Sequence, residues 1–332
     1  MPIRPFVLPK DLDIMNSLIM DGFQYPENPT WSVQEDEKEG MIDRLNGVKR
    51  MWPLMRLMQI LSPSLRDIMR GFILEEDGKP VGLINYMSPP GRQAEWMIAN
   101  VTVLPAYRRR GIARKLVDIT MVTLRERKAK LALLEVIEDN LPAFNLYKEL
   151  GFIPYASETQ YDAPEMNIAS HPLPEGWSVT PLQDSNWRIR YELALRTTPE
   201  KVKQFEPVSE TKFKMPFFLR TFGKLFEFMG GTKNARLVLH APDGEAAGVA
   251  FYNVRMRPGG VNYAGFVLDP KYSEIAPKFF QIVLSTVQKI SPARRIEITL
   301  NDWQLSLVQA AEELACVKRV SAYRMGFVFP EN

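Results

Sequence analysis

The chain has 332 residues, 45% of them hydrophobic and 24% charged, and a formal net charge of +3. This length suits two globular domains at roughly 150 residues each, and the composition excludes collagenous, fibrous and wholly disordered chains. Two histidines, His171 and His240, and one cysteine, Cys316, exclude a cysteine-rich zinc site, a disulfide framework and a histidine-rich metal centre. Acid–base chemistry is left to carboxylates, tyrosines, water or backbone. The first residues lack the apolar stretch of a secretory signal, and no segment approaches the ~20 apolar residues of a membrane span. With a lone cysteine suited to a reducing compartment, the expectation is a cytoplasmic protein without metal or membrane.

Ile3 to Leu8 is a short β-type run, and Asp11 is placed to cap a helix through Phe23. From Trp31 to Met69, apolar residues at helical spacing (Met41, Leu45, Val48, Met51, Met55, Met58, Leu61) predict two or three helices broken near Pro53 and Pro63. Strand signals follow at Gly71–Glu76, Val81–Met87 and Ala94–Leu104, punctuated by an Asp77-Gly78 turn and a Pro89-Pro90-Gly91 loop. A helix from about Gly111 carries the stripe Ala113, Leu116, Val117, Thr120, Met121 and Leu124. Leu131 to Ile137 reads as a strand buried on both faces, and Pro142 to Leu150 as a helix closed by Gly151.

The second half repeats this order. Gly82 and Tyr86 match Gly248 and Tyr252 at an offset of 166. The Asp-Gly turn returns at Asp243-Gly244, the Pro-Gly loop at Pro258-Gly259, and Val103-Leu104-Pro105-Ala106-Tyr107 is echoed by Val267 to Tyr272. The next helical stripe is Phe279, Ile282, Val283, Thr286 and Val287, and Ser178 to Leu182 echoes the opening strand. Agreement in order and spacing indicates a duplicated domain. The expected division is residues 1–163, a proline-punctuated linker at 164–175, and residues 176–332.

Charge is concentrated. Leu104 to Lys130 holds nine basic residues against Asp118 and Glu126, so this stretch is +7 and the remainder −4. Within it a strand ends at Pro105, a basic loop with Gly111 and Ala113 follows, and a helix begins at once. A helix N-terminus offers unpaired N–H groups and the positive end of the dipole, which bind phosphate. Small residues let a ligand approach the backbone, and Arg108, Arg109, Arg110 and Arg114 add charge for a polyphosphate. The three-glycine fingerprint and the Gly-Lys-Ser/Thr ending of other nucleotide loops are absent. A nucleic-acid patch would want interleaved aromatics, and Tyr107 stands alone.

Arg108-x-x-Gly111-x-Ala113 after Val103-Leu104-Pro105-Ala106-Tyr107, followed by Asn140, Ala143, Tyr147, Gly151 and Phe152, resembles the GNAT superfamily of acyl-CoA-dependent N-acyltransferases. The resemblance covers about Ile3 to Tyr161. It implies an α/β (α+β) fold of two tandem domains, each a central mixed, mostly antiparallel sheet flanked by helices. It implies acetyl-CoA as co-substrate, with the backbone of residues 109–114 (Arg109, Arg110, Gly111, Ile112, Ala113, Arg114) holding the pyrophosphate. Val101 and Val103, on a splayed strand, would bond the pantetheine arm. Asn140 would contact the pantetheine or acyl region, and Tyr147 would protonate the departing thiolate. The base is Glu95, placed by simple alternation on one face with Met97, Ala99, Val101 and Val103, or water or another residue.

The acceptor implied is a primary amine of a small molecule or peptide, with no nucleic acid, in a monomer or homodimer. A non-catalytic CoA-binding regulatory module is the alternative. The second half departs from the pattern: Ser273 to Pro277 has no arginine, Pro277 removes an N–H, Asn301 stands opposite Asn140, and no tyrosine precedes Leu314-Ala315-Cys316. One CoA per chain is expected. Cys316 reads as a small core residue, His240 as a turn residue and His171 as part of the linker. Met51, Trp52, Met55 and Met58 are either core or acceptor-facing. The aromatic run Phe205, Phe213, Phe217, Phe218, Phe222, Phe226, Phe228 is a packing element or a contact surface.

Overall fold

The computed structural model describes residues 2–25, 27–32, 34–61, 66–67, 69–88, 94–164, 168, 171–214, 223–224, 227, 230–292 and 294–330. In chain order the elements are β1 (Ile3–Pro5), α1 (Leu12–Gly22), α2 (Glu35–Leu61), β2 (Arg70–Glu76), β3 (Lys79–Met87), β4 (Glu95–Val103), α3 (Ile112–Glu126), β5 (Leu131–Ile137), α4 (Leu141–Glu149) and β6 (Ile153–Asp162). There follow β7 (Ser178–Pro181), α5 (Trp187–Thr197), the short α6 (Glu200–Lys203) and α7 (Glu210–Phe213), β8 (Thr232–His240), β9 (Ala246–Arg255), β10 (Asn262–Leu268), α8 (Ala276–Ile290), β11 (Ile296–Asn301), α9 (Leu305–Glu313) and β12 (Val317–Val328). They gather into two compact units, Met1–Tyr155 with Ala322–Asn332, and Ala156–Ser321.

In the first unit β1, β2, β3 and β4 pair antiparallel in turn, β5 joins β4 in parallel, and residues 322–328 of β12 pair antiparallel with β5. Asp77 and Gly78, at φ +51° and +74°, make the left-handed two-residue turn that joins β2 to β3. The stripe on α3 is buried at Ile112, Leu116, Val117, Thr120, Met121 and Leu124 and packs with Trp96, Ile98 and Leu134 into one cluster. Met325 of β12, fully buried, belongs to the same cluster.

The second unit repeats the plan. β7, β8, β9 and β10 pair antiparallel, β11 runs parallel to β10, and residues 158–162 of β6 pair antiparallel with β11. Gly82 and Gly248 hold the same place in the two sheets, opposite Val103 and Leu268. A Cβ on Gly82 would meet Ile112 Cγ2 at 2.9 Å, and one on Gly248 would meet Phe279 Cε1 at 3.3 Å. Each glycine lets the long helix that follows lie close on its sheet.

Several expectations need correction. α2 is one helix through Pro53, which is exposed. Asp11 does not cap α1 with its side chain. Fully buried, it accepts from the Arg4 guanidinium at 2.8 and 3.1 Å and from the Val7 N–H at 2.8 Å. The residues from 322 onward belong with the first unit, and those from 156 with the second. Residues 164–175 are no free linker where described: the Ile168 N–H donates to Gln288 Oε1 at 2.9 Å, Gln288 Nε2 donates to the Pro164 carbonyl at 3.2 Å, and Leu173 packs on the second core. Pro63, the Pro89-Pro90-Gly91 loop, and Phe217, Phe218, Phe222, Phe226 and Phe228 lie outside the described residues.

Candidate active site

The site begins where β4 leaves β5. The two strands are in register only at Glu95–Leu131, Trp96–Ala132 and Met97–Leu133, after which β4 continues to Val103 without β5. On its other side, β4 passes from Ala99 opposite Asn85 to Thr102 opposite Leu83, so Asn100 and Val101 together face Ile84. This is a bulge, and Asn100 adopts the left-handed conformation it needs, φ +52°. Asn85, fully buried, fixes it: Asn100 Nδ2 donates to Asn85 Oδ1 at 3.1 Å, and Asn85 Nδ2 donates to the Arg70 carbonyl at 3.2 Å.

The extra residue reverses the facing of the strand. Trp96 and Ile98 lie in the α3-side cluster, and beyond the bulge Val101 and Val103 pack against that cluster. Thr102 instead meets Gly22 of α1. Glu95, Met97 and Ala99 therefore do not share a face with Val101 and Val103. Glu95 also sits six residues upstream of Val101, roughly 20 Å at strand rise. The structure does not bring Glu95 to this site.

From Val103 the chain turns through Pro105–Tyr107 into α3. Arg109 and Gly111 both adopt positive φ, +65° and +76°. Gly111 is the N-cap of α3 with no side-chain cap, and a Cβ there would meet nothing within 4 Å. The first intrahelical bond is the Lys115 N–H to the Gly111 carbonyl, so the N–H groups of Ile112, Ala113 and Arg114 open the helix without that partner. This exposed N-terminus fits a phosphate group.

The arginines divide. Arg108 is committed inward, donating from Nη2 to the Gly22 carbonyl at 2.8 Å and from Nε to the Val103 carbonyl at 3.3 Å, with its guanidinium 5.1 Å from the Tyr25 ring centroid. Arg110 donates to the Ala106 carbonyl at 3.1 Å and lies 3.6 Å from Glu76. Arg114 pairs with Glu149. Arg109 is exposed on the loop and makes no ion pair among the described residues.

Asn140 is the N-cap of α4, its Oδ1 accepting from the Ala143 N–H at 3.3 Å. Tyr147, two turns along, is buried with its ring edge-on to Phe152 at 6.1 Å. Burial, and then the neighbouring Tyr25, push its hydroxyl well above the ordinary tyrosine range. Tyr25 has no sequence signal beyond a loop position. Burial raises the pKa of its hydroxyl, opposed by the neighbouring Arg108. Tyr25 and Arg108 thus meet directly, while Asn140 and Tyr147 share α4.

The corresponding places in the second unit are built differently. α8 starts at buried Ile275 and Ala276, with Pro277 in its first turn. The N-cap of α9, the position of Asn140, is Gln304 and not Asn301, which ends β11. Gln304 Nε2 donates to the Phe266 carbonyl at 3.0 Å. Cys316 is partly buried, and burial pushes its thiol up to about 11, as suits a packing residue. His240 Nε2 lies 3.2 Å from Thr180 Oγ1, and His171 is exposed. Among the described residues no helix is long and apolar enough to cross a membrane.

The site thus joins a parallel splay to an open helix N-terminus, and comparison with known proteins finds likenesses of sequence and fold. Residues 41–152 match the family model of the acetyltransferase (GNAT) family. It is 36% identical over 91 residues, 24% of this chain, to an N-alpha-acetyltransferase of Sulfurisphaera tokodaii, covering 54% of that protein. It is 33% identical over 93 residues, 28% of this chain, to a mycothiol acetyltransferase of Thermomonospora curvata, covering 31% of it. The chain thus spans about half of one curated relative and a third of the other. The whole chain superposes on a tandem GNAT protein from the clavulanic acid biosynthesis pathway with TM-score 0.64 at 15% identity, covering 100% of this chain and 99% of that one. A GCN5-related N-acetyltransferase from Sphaerobacter thermophilus gives 0.66 at 14%, covering 99% and 96%. These structural likenesses establish a tandem fold.

Proposed function

We propose that the first unit transfers an acetyl group from acetyl-CoA to a primary amine by direct attack, with one CoA per chain. The supporting observation is the continuity of Val101 and Val103, released from β5, with the open N-terminus of α3. The N–H groups of residues 111–114, with the exposed Arg109, would hold the pyrophosphate. Val101 and Val103 would present backbone groups to the pantetheine amides. Arg108, Arg110 and Arg114 shape the loop through their own partners. When bound, acetyl-CoA supplies a thioester, whose acyl carbon takes the new bond to nitrogen as the bond to sulfur breaks.

Overall, the amine loses a proton and the departing sulfur gains one. An ordinary thiol ionises near 8.5 and an ordinary tyrosine near 10, so lasting transfer from Tyr147 to sulfur would be uphill even before burial raises its pKa. Tyr147 therefore acts by donating a hydrogen bond to the sulfur while keeping its proton, and solvent completes the transfer. Glu95 is too remote for the amine's proton, which leaves through water. A lone cysteine is in keeping with the cytoplasm.

The two curated relatives are named an N-alpha-acetyltransferase and a mycothiol acetyltransferase, names that point to different acceptors. The test is release of free thiol from acetyl-CoA in the presence of peptide N-termini and small-molecule amines, beside calorimetry with CoA. Turnover with some amine and one CoA per chain is the expected result. CoA bound with no thiol released by any amine would make the unit a binding module, and two equivalent CoA sites would place a working site in the second unit.

A further inference from the structure

We propose that Asn85 is a positioning residue for acetyl transfer: its buried amide pins the Asn100 bulge and so sets which backbone groups of β4 meet the pantetheine arm. This rests on the acetyl-transfer reading above. Asn85 sits in β3, two residues past Leu83 and so on the same side, that of the α1 cluster, and it is fully buried. An amide costs free energy in such a place unless its groups are bonded. Here both are: Oδ1 accepts from Asn100 Nδ2 at 3.1 Å, and Nδ2 donates to the Arg70 carbonyl at 3.2 Å. Room for the amide comes from Gly71, opposite Asn85 in β2, where a Cβ would meet Asn85 Nδ2 at 2.7 Å. Glycine, amide and bulge form one device across β2, β3 and β4.

The second unit forms its sheet without this device. Counted from Gly82 and Gly248, the place of Asn85 is taken by exposed Phe251, and that of Gly71 by Arg236. There β9 and β10 stay in register from Asn253–Tyr263 to Gly248–Leu268, with no inserted residue. A buried amide is therefore not needed to build the sheet, and what it changes is direction. In an antiparallel ladder the N–H and C=O groups of successive residues point alternately to the two sides. The Leu104 N–H donates to the Val81 carbonyl of β3 at 3.0 Å, so alternation turns the groups of Val103 and Val101 to the edge that β5 has left. A ladder carried on from Ala99 without the inserted residue would put Thr102 at that edge instead. The amide of Asn85 thus holds the choice of Val101 and Val103 from the far side of the strand.

The test separates the two halves of CoA. Asn85→Leu takes the acceptor from the Asn100 amide, and acetyl-CoA affinity in calorimetry should fall about three- to tenfold, as for a lost hydrogen bond. In the same variant kcat should fall about ten- to hundredfold, the signature of misplacement. The nucleotide half of CoA alone lacks the pantetheine arm, and its affinity should stay within about twofold, as for a distant site with no shared partner. General loss of structure would weaken both. Asn100→Gly in the Asn85→Leu background keeps a positive φ with no amide to satisfy, and should restore most of the lost acetyl-CoA affinity. Where Asn85→Leu fails to fold, Asn100→Ala removes the amide while keeping Asn85 and should give the same split. A ligand-free measurement stands beside these: in a nitrogen-15 spectrum of either variant, the Val101 and Val103 backbone signals should move while those of Ile112 and Ala113 hold. Wild-type kcat and acetyl-CoA affinity, equal weakening of acetyl-CoA and its nucleotide half, additive losses in the double variant, or unmoved Val101 and Val103 signals would each overturn the proposal. If the wild-type protein releases no thiol with any amine, it is the acetyl-transfer reading that fails, and the affinity split and the spectrum then decide whether Asn85 sets this strand.

Discussion

The two units run the same elements in the same order, and they differ at three matching points. Where the first opens α3 on Gly111, exposed and left-handed, the second opens α8 on buried Ile275 and Ala276 with a proline in the first turn. Where the first carries Tyr147, the second carries Ala311: the Phe152 N–H donates to the Tyr147 carbonyl at 3.0 Å, just as the Cys316 N–H donates to that of Ala311 at 2.9 Å. Where Val101 lies unpaired past its bulge, β10 keeps an unbroken register with β9, and the carbonyl of Phe266, the matching residue, is taken by Gln304. The shared frame is thus left open at these points in one unit, where the proposed chemistry is placed, while in the other its own side chains fill the same places.

The largest effect tests where the frame ends. Truncation after Ser321 removes from the first unit the strand beside β5, along with buried Met325 and the Phe144–Tyr323 and Phe152–Phe327 ring contacts. Cooperative unfolding of the first unit and CoA binding should both be lost. Met325→Ala should cost about 2–5 kcal/mol in denaturant unfolding; a change below about 0.5 kcal/mol, the usual range for a surface position, would break the assignment of this strand. Next in size, Tyr147→Phe should lower kcat about a hundredfold with CoA affinity unchanged, whereas Ala311→Ser should leave kcat alone. Equal kcat in Tyr147→Phe would erase the contrast between the units.

What could be read from sequence was local. The helix start at Gly111, the stripe on α3 and the helix closed by Gly151 each depend on neighbours within a few residues, and all are found where the sequence puts them. What could not be read was long-range or turned on a single inserted residue. Alternation carried across Ala99-Asn100-Val101 puts Glu95 with Val101, and the bulge at Asn100 undoes it; an asparagine inside an apolar strand was the available hint. Arg108 counts as a phosphate ligand by composition alone, but its partner carbonyl at Gly22 lies 86 residues away. The placing of residues 322–328 beside β5 rests on pairing across almost two hundred residues, which no local pattern encodes.

Charge sharpens the comparison at a smaller scale. Arg109→Glu should weaken CoA binding about tenfold, the loss of one charge-assisted contact, with melting temperature unchanged. Arg108→Glu should instead destabilise the first unit by about 1–3 kcal/mol, because two backbone carbonyls lose their donor. Lys271→Glu, at the matching loop of the second unit, removes the cation that pairs with Asp243 and Glu245 and should leave CoA binding untouched. Weakened CoA binding in that last variant would revive a site there.

The smallest effect is alkaline. In the unfolded chain Tyr147 ionises near 10, while in the native unit burial, and then Tyr25, keep its proton to higher pH. Above pH 10 the unfolded state therefore binds fewer protons than the native state, and stability falls as pH rises, by up to about 1.4 kcal/mol per pH unit for this group. Below pH 10 the contribution is complete. Tyr86 in the first unit and Tyr161 and Tyr252 in the second are shifted upward chiefly by burial and act in the same direction. Tyr147→Phe should thus lose stability less steeply than the wild-type protein between pH 10 and 11 in urea unfolding, while the two curves run parallel from pH 7 to 9. Parallel curves throughout would mean that the Tyr147 hydroxyl meets water in the native unit, and with it would go the reason for keeping its proton in place beside the departing sulfur.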